Sequence, residues 1–290
     1  MTKWSKTIVR WKRDGTLYLS VPFTWQLGIA RAAAQRHDGP VFAGGPAVSL
    51  MGCDGWAETA PSPPDGTDVL TLHNPEATFT TRGCVRACKF CAVPRIEGKF
   101  RELDDWTPRR VVCDNNFLAA SKAHVRRAVR RLRGIEGVDF NQGLDARLFT
   151  DWHAEQLAKL KKPVIRFALD NTKLEGTVAG AVERARNHGL RDLHVYVLVG
   201  FDDTPEDALC RLETVRSWKM RPNPMRYQPL DTKRKNRHVS SAWTTDVLQD
   251  VMRYYSRLRW LDGVPFEDYR EHEIKRRFVS KLRKGRKNDT

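Results

Sequence analysis

No run of about 18 consecutive apolar residues occurs in the sequence, so it contains no transmembrane-helix signal. The opening residues Met1-Thr2-Lys3-Trp4-Ser5 do not lead into the apolar core of a secretory signal. The expectation is a cytoplasmic chain without a membrane partner. Cysteine is scarce, six among 290 residues, and three of the six fall within positions 84–91. That crowding argues against a disulfide framework and for metal ligation in a reducing compartment. Acids are also in deficit: 35 Asp and Glu face 51 Lys and Arg, a net charge of +16. Such a balance suggests a polyanionic partner, nucleic acid foremost, with solubility as the rival reading; it speaks to association and not to fold. Hydrophobic residues make up 40%, enough for a substantial core in one large domain or two.

Missing motifs narrow the chemistry further. Zinc deaminases need H-x-E followed downstream by P-C-x-x-C, whereas here Ala87 precedes Cys88 and the H-x-E of His153 and Glu155 comes afterwards. A thioredoxin-like dithiol would leave Cys84 unexplained. What is present is a triplet of thiols, Cys84, Cys88 and Cys91, in one short stretch. Thiolates select zinc, copper(I) or iron–sulfur iron, and three protein ligands on a four-cornered site leave one corner for another group. A zinc site completed by His73 or His124 is the alternative, though structural zinc usually draws ligands from two close pairs.

The spacing, with Phe90 immediately before the last cysteine, resembles the C-x3-C-x-(aromatic)-C signature of the radical SAM superfamily. The runs 81–94 and 98–101 are similar to the cluster loops of methylthiotransferases and cobalamin-type members, with a truncated N-terminal region. The resemblance implies that Cys84, Cys88 and Cys91 hold a 4Fe-4S cluster whose fourth iron binds S-adenosyl-L-methionine. It also implies a flavodoxin or ferredoxin as electron donor and a 5′-deoxyadenosyl radical that takes hydrogen from the substrate. Strand, helix, strand and Gly44-Gly45-Pro46 resemble the end of a cobalamin-binding domain, but the region is short and holds no D-x-H-x-x-G, so no cobalamin is expected.

Along the chain, 8–12 and 16–19 flank Asp14-Gly15 and read as a hairpin. A helix is expected over 24–37 and a strand over 41–43. The proline-rich stretch 61–66 reads as a linker. Beyond it, strands at 77–81, 111–113, 138–140, 164–169, 194–199 and 225–228 alternate with helices at 121–133, 150–161, 175–188 and from 204 onward, a pattern for parallel strands with crossovers. Pro94, Gly98 and Pro108 leave little room for helix over 92–110. Helices are expected again at 243–260 and 266–282, ending in a basic tail. The fold class expected is α/β: a partial (β/α)6 TIM-like barrel over 67–232, a small N-terminal α/β subdomain with its linker over 1–66, and a C-terminal helical basic extension over 233–290.

Ligands of parallel-strand barrels bind at the carboxyl ends of strands. The residues there are Asp114, Asn115 and Asn116; Asn141, Gln142, Asp145 and Arg147; Asp170; Gly200; and Tyr227. The resemblance gives the first group contacts to the methionine amino group, the second ribose and carboxylate contacts, and Gly200 the approach to adenine. Arg166, inside an apolar strand, is expected to face an anion. Cys113 is a candidate hydrogen donor or acceptor beside a packed-thiol reading, Cys53 reads as a surface thiol and Cys210 as core. The reading is a radical SAM enzyme acting on a nucleic acid base or nucleotide. Arg126, Arg127, Arg130 and Arg131, the run 233–237 and the basic tail are candidates for phosphate contact. A peptide or small-metabolite substrate, or a non-catalytic zinc-stabilised nucleic-acid-binding module, are the other readings.

Overall fold

The computed structural model describes residues 4–59, 62–63, 65–257, 261 and 263–288, with side chains as far as Arg277. The chain divides into two compact units, the first comprising Met1–Ala168, Gly176–His194 and Gln228–His238, the second Leu169–Glu175, Val195–Tyr227 and Val239–Thr290.

The first unit begins with an antiparallel hairpin of β1 (Val9–Arg13) and β2 (Thr16–Ser20), paired from Val9 opposite Ser20 to Arg13 opposite Thr16. Asp14 and Gly15 turn the chain with φ of 48° and 75°, the double positive φ that a two-residue hairpin loop of primed type requires. Helix α1 (Leu27–Ala34) then leads to β3 (Val41–Gly44), parallel to β2, and α2 (Pro46–Met51) to β4 (Glu58–Thr59), parallel to β3. Period-2 alternation sends Leu17 and Leu19 into a core with Val21, Ala30, Ala33, Ala43 and Cys53. Gly52, at φ 73°, turns the chain so that Cys53 lies in this core and not at the surface as the sequence suggested. Opposite residues of the strands, Trp11, Tyr18 and Phe42, share the other face and stack in series.

Helix α3 (Val69–His73) precedes β5 (Ala77–Thr78). A small ribbon follows, β6 (Thr81–Arg82) paired antiparallel with β7 (Arg101–Glu102), and between them one short helix α4 (Val93–Ile96). This matches the helix-poor reading of 92–110. Strand β8 (Val111–Val112), helix α5 (Lys122–Leu132), β9 (Asp139–Phe140), α6 (Asp151–Leu157), β10 (Val164–Ala168) and α7 (Glu175–Asn187) continue the alternation. Strands β5, β8, β9 and β10 lie parallel in that order. Helix α5 buries Val125, Ala128, Val129 and Leu132, the i, i+3, i+4, i+7 stripe visible in its sequence, and Ser121 caps it by accepting the His124 N–H at 3.2 Å.

In the second unit β11 (Asp192–Val199) pairs in parallel with β12 (Pro222–Arg226), followed by α8 (Pro205–Ser217), which joins them, then α9 (Thr245–Ser256) and α10 (Phe266–Asn288). Helix α8 turns Ala208, Arg211, Leu212 and Val215 inward. Cys210 lies off that stripe and is exposed, which corrects its assignment to the core. The architecture is mixed α/β built on parallel strands, and no helix among the described residues is long and apolar enough to cross a membrane.

Candidate functional site

The cysteine loop hangs from the β6–β7 ribbon. Gly83, at φ 74°, donates its N–H to Glu97 Oε2 at 2.7 Å, and a Cβ there would meet Lys99 O at 2.4 Å. Only glycine fits so close an approach of two backbones. Arg82 completes the clasp with its own ion pair to Glu97 at 3.2 Å. Beyond it Cys84, Cys88 and Cys91 are all partly exposed, Phe90 is partly buried, and Cys91 N–H to Cys88 O at 3.0 Å closes a turn.

Three successive parallel-strand ends meet at this loop. Asn116, which follows β8 and is 2% exposed, donates through Nδ2 to Cys84 Sγ at 3.5 Å and to Asp145 Oδ2 at 3.4 Å. Asp145, after β9, also accepts Arg86 Nε from the loop at 2.9 Å and Arg147 Nε at 2.6 Å. Burial alone would raise the Asp145 pKa, but the hydrogen bonds from Arg147 and Arg86 outweigh it and hold the carboxyl below its ordinary range. The carboxylate is therefore a fixed charge anchoring the loop to the strand ends.

Asp114 lies inside the fold at the end of β8. It is 3% exposed, and its oxygens accept the Thr80 N–H at 2.6 Å and the Thr80 hydroxyl at 2.5 Å. Thr80 Oγ1 lies 3.1 Å from His124 Nε2, and Arg127 lies 2.9 Å from His124 Nδ1. A single direction of donation satisfies this relay: Arg127 to His124 Nδ1, His124 Nε2–H to Thr80, Thr80 to Asp114. Burial raises the Asp114 pKa to about 6, with the Thr80 hydrogen bonds opposing, and burial lowers that of His124. Sequence reasoning did not find this relay, because its members come from three separate segments.

Asn115 Nδ2 and Asn116 Oδ1 are buried without a hydrogen-bond partner, one donor and one acceptor side by side at the end of β8. Asn141 and Gln142 follow β9, the first partly buried, with its N–H on Val112 O at 3.1 Å, and the second exposed. Arg166 meets the carboxylate of Asp139 on neighbouring β9 in a two-pronged pair at 2.7 and 2.8 Å. Cys113 is 2% exposed, and burial, reinforced by Asp114, pushes its thiol up to about 12, so it stands as a neutral S–H.

The remaining candidates belong to the second unit. The Asp170 carbonyl accepts Arg211 Nη1 at 3.1 Å, Gly200 at φ 83° donates its N–H to Asp203 Oδ1 at 2.9 Å, and Tyr227 sets its ring edge-on to Phe201. Arg211, which the sequence did not single out, ties these together: it is 1% exposed, pairs with Asp203, and donates to the carbonyls of Leu169, Asp170 and Leu198.

Among the described residues no group of three or more His, Cys, Asp or Glu side chains is gathered as a metal site. The donor set around the loop nonetheless suits a thiolate-held group. Cys84 Sγ accepts N–H donors from Arg86 N at 3.3 Å and from Asn116, the kind of contact that stabilises sulfur charge. The unpartnered amide atoms of Asn115 and Asn116 are complementary to the carboxylate and ammonium of an amino acid. The histidines considered as a fourth zinc ligand are engaged elsewhere: His73 between Ser5 and Ser20 at 2.5 and 2.9 Å, His124 in the relay. Of the arginines of α5, Arg127 and Arg131 bind the carbonyls of Leu103 and Trp106, while Arg126 and Arg130 are exposed. No protein-family model matches the chain, and no curated protein matches it.

Proposed function

We propose that the chain is a radical SAM enzyme whose substrate is a nucleic acid base or nucleotide, with Cys84, Cys88 and Cys91 as the ligands of a 4Fe-4S cluster and S-adenosyl-L-methionine as co-substrate. The observation that carries the reading is the convergence of the cysteine loop, Asn116 and Asp145 at three consecutive carboxyl ends of parallel strands. That is where α/β folds place ligands. When bound, such a cluster supplies the electron that splits the sulfonium, chemistry that belongs to the cofactor. The chain's own contribution is positional. Asn116 and Arg86 fix the loop against Asp145. The reading implies a partial (β/α)6 TIM-like barrel, a flavodoxin or ferredoxin donor and a cytoplasmic setting.

The test is anaerobic reconstitution with iron and sulfide, followed by metal and sulfide analysis and by dithionite reduction in the presence of S-adenosyl-L-methionine. Stoichiometric iron and sulfide with release of 5′-deoxyadenosine is the expected result, abolished by Cys88→Ala. Bound zinc without iron, or product formation that survives Cys88→Ala, overturns the reading.

A further inference from the structure

The unassigned face of the N-terminal sheet carries three aromatic rings in series. Trp11 and Tyr18 stack at 5.2 Å with 10° between planes, and Tyr18 and Phe42 at 5.8 Å with 16°. The register puts them directly opposite one another on β1, β2 and β3. Tyr18 in the middle is buried, while Trp11 and Phe42 at the two ends are partly exposed. The ladder lines a cleft of about 680 Å³ whose far wall includes Phe79, Arg82 and Arg101. Trp11 is held in place by its indole N–H on Asp65 Oδ2 at 2.9 Å, and Asp65 is itself fixed by Thr67. The Trp11 end of this stack lies at the free edge of the sheet and is a surface on which a planar base adds one more ring, whereas the Phe42 end stands beside Glu58 of β4.

Trp11, on the edge strand β1, also borders a second cavity, of about 320 Å³, on the opposite, α1-covered side of the sheet, where Arg10 and Lys12 stand across from Leu19 and Leu17. Arg10, Lys12, Arg36 and His37 line it and no acid does. None of Arg10, Lys12 and Arg36 makes an ion pair or side-chain hydrogen bond among the described residues. The acids that line the aromatic cleft, by contrast, are committed: Asp68 to Arg109 at 3.1 Å and Glu97 to Arg82 and Gly83. Base-stacking rings next to unspent cations are the two components of single-strand recognition.

We propose that the β1 edge of this sheet is a single-stranded nucleic-acid site, with a base stacking on the outer face of Trp11 at the end of the Trp11–Tyr18–Phe42 ladder and the phosphate backbone crossing the edge to Arg10, Lys12 and Arg36 on the opposite face. The site deepens the proposed function by locating its polymer substrate, and rests on that reading only for its biological purpose. Binding itself needs neither cluster nor S-adenosyl-L-methionine.

The experiment uses full-length protein, as purified without reconstitution, and a fluorescein-labelled single-stranded 12-mer followed by anisotropy over a salt series. Trp11→Leu and Trp11→Thr are each expected to weaken binding by roughly 5- to 100-fold, the range for losing one base–aromatic stack. The triple variant Arg10→Ala/Lys12→Ala/Arg36→Ala is expected to lower the salt dependence by about two units of slope, at about 0.7 per phosphate contact released. Thermal unfolding of each variant identifies any that fails to fold, and Trp11→Thr and the triple variant carry the test if Trp11→Leu does so. Unchanged affinity in folded Trp11→Leu or Trp11→Thr together with an unchanged slope in the triple variant overturns the proposal, as does absence of binding by the unaltered protein. Release of 5′-deoxyadenosine without oligonucleotide binding would remove this site and leave the cluster reading; binding by protein that takes up no iron on reconstitution would do the reverse.

Discussion

Asp114 shows how one buried carboxyl sets a pH response. Its folded-state pKa, about 6, lies above the ordinary 3.8 because burial outweighs the Thr80 hydrogen bonds. Between those two values the folded protein binds more protons than the unfolded chain, so this group's contribution to stability falls as pH rises through the window. Unfolding free energies from urea titrations across it should decline more steeply for the unaltered protein than for Asp114→Asn, by about 3 kcal/mol at about 1.4 per pKa unit. Equal pH profiles would show that the carboxyl is not held in its neutral form. Asn116 gives a second test at the same scale. Asn116→Ala removes the donor shared by Cys84 and Asp145, and at about 1 to 1.5 kcal/mol per hydrogen bond the KM for S-adenosyl-L-methionine should rise about tenfold. Iron content should be retained, since all three cysteines remain; a loss of iron with unchanged KM would give Asn116 a purely structural role. Asn116 and Asp145 were legible in the sequence as polar residues just past strands. The Thr80, His124 and Arg127 relay was not, because Thr80 lies 34 residues from Asp114 and 44 from His124, and nothing local marks such pairs.

Elements with strong local signals were readable, and those set by neighbours were not. The hairpin turn at Asp14-Gly15 and the stripe of α5 appear where composition and spacing put them, and the helices expected from 121, 150 and 204 begin there, capped by Ser121, Thr150 and Thr204. Strand β5 is shorter than the expected 77–81, because Thr80 turns to Asp114 instead of continuing the ladder. Strand β12 starts earlier than expected: Pro222 and Pro224 read as breakers, yet this strand is at the edge of its sheet, where a missing N–H costs little. Two substitutions test what holds elements in place. Gly83→Ala forces a Cβ against Lys99 O at a positive φ, so it should destabilise the β6–β7 ribbon by about 2–4 kcal/mol and reduce iron loading. A thermal midpoint within error of the unaltered protein would refute the clasp. In the second unit Asp250, fully buried on α9, takes both prongs of Arg277 from α10 at 2.7 and 2.6 Å. Arg277→Met leaves that carboxylate buried and alone, which should cost about 3–5 kcal/mol by urea unfolding, whereas Asp250→Asn/Arg277→Met together should cost less than the sum of the singles.

The molecule as a whole carries +16, and its ion pairs are of two kinds. Exposed ones such as Lys162–Glu136 and Lys275–Glu271 contribute about 0–1 kcal/mol each and weaken with salt. Buried or two-pronged ones, Arg211–Asp203, Arg166–Asp139 and Arg277–Asp250, are little affected by bulk ions. Added salt therefore removes little attraction while it screens the repulsion among the surplus cations, which acts over the whole surface. Raising ionic strength from about 0.01 M to 0.1 M shortens the screening length from about 30 Å to 10 Å. Across that step the urea midpoint should rise, and a single-stranded polyanion at low salt should raise it further by binding the folded state alone. The triple variant Arg10→Ala/Lys12→Ala/Arg36→Ala, with three fewer cations, should start from a higher midpoint at low salt and gain less from either addition. A midpoint that falls with salt would mean that local pairing, and not the net surplus, governs this protein's electrostatics.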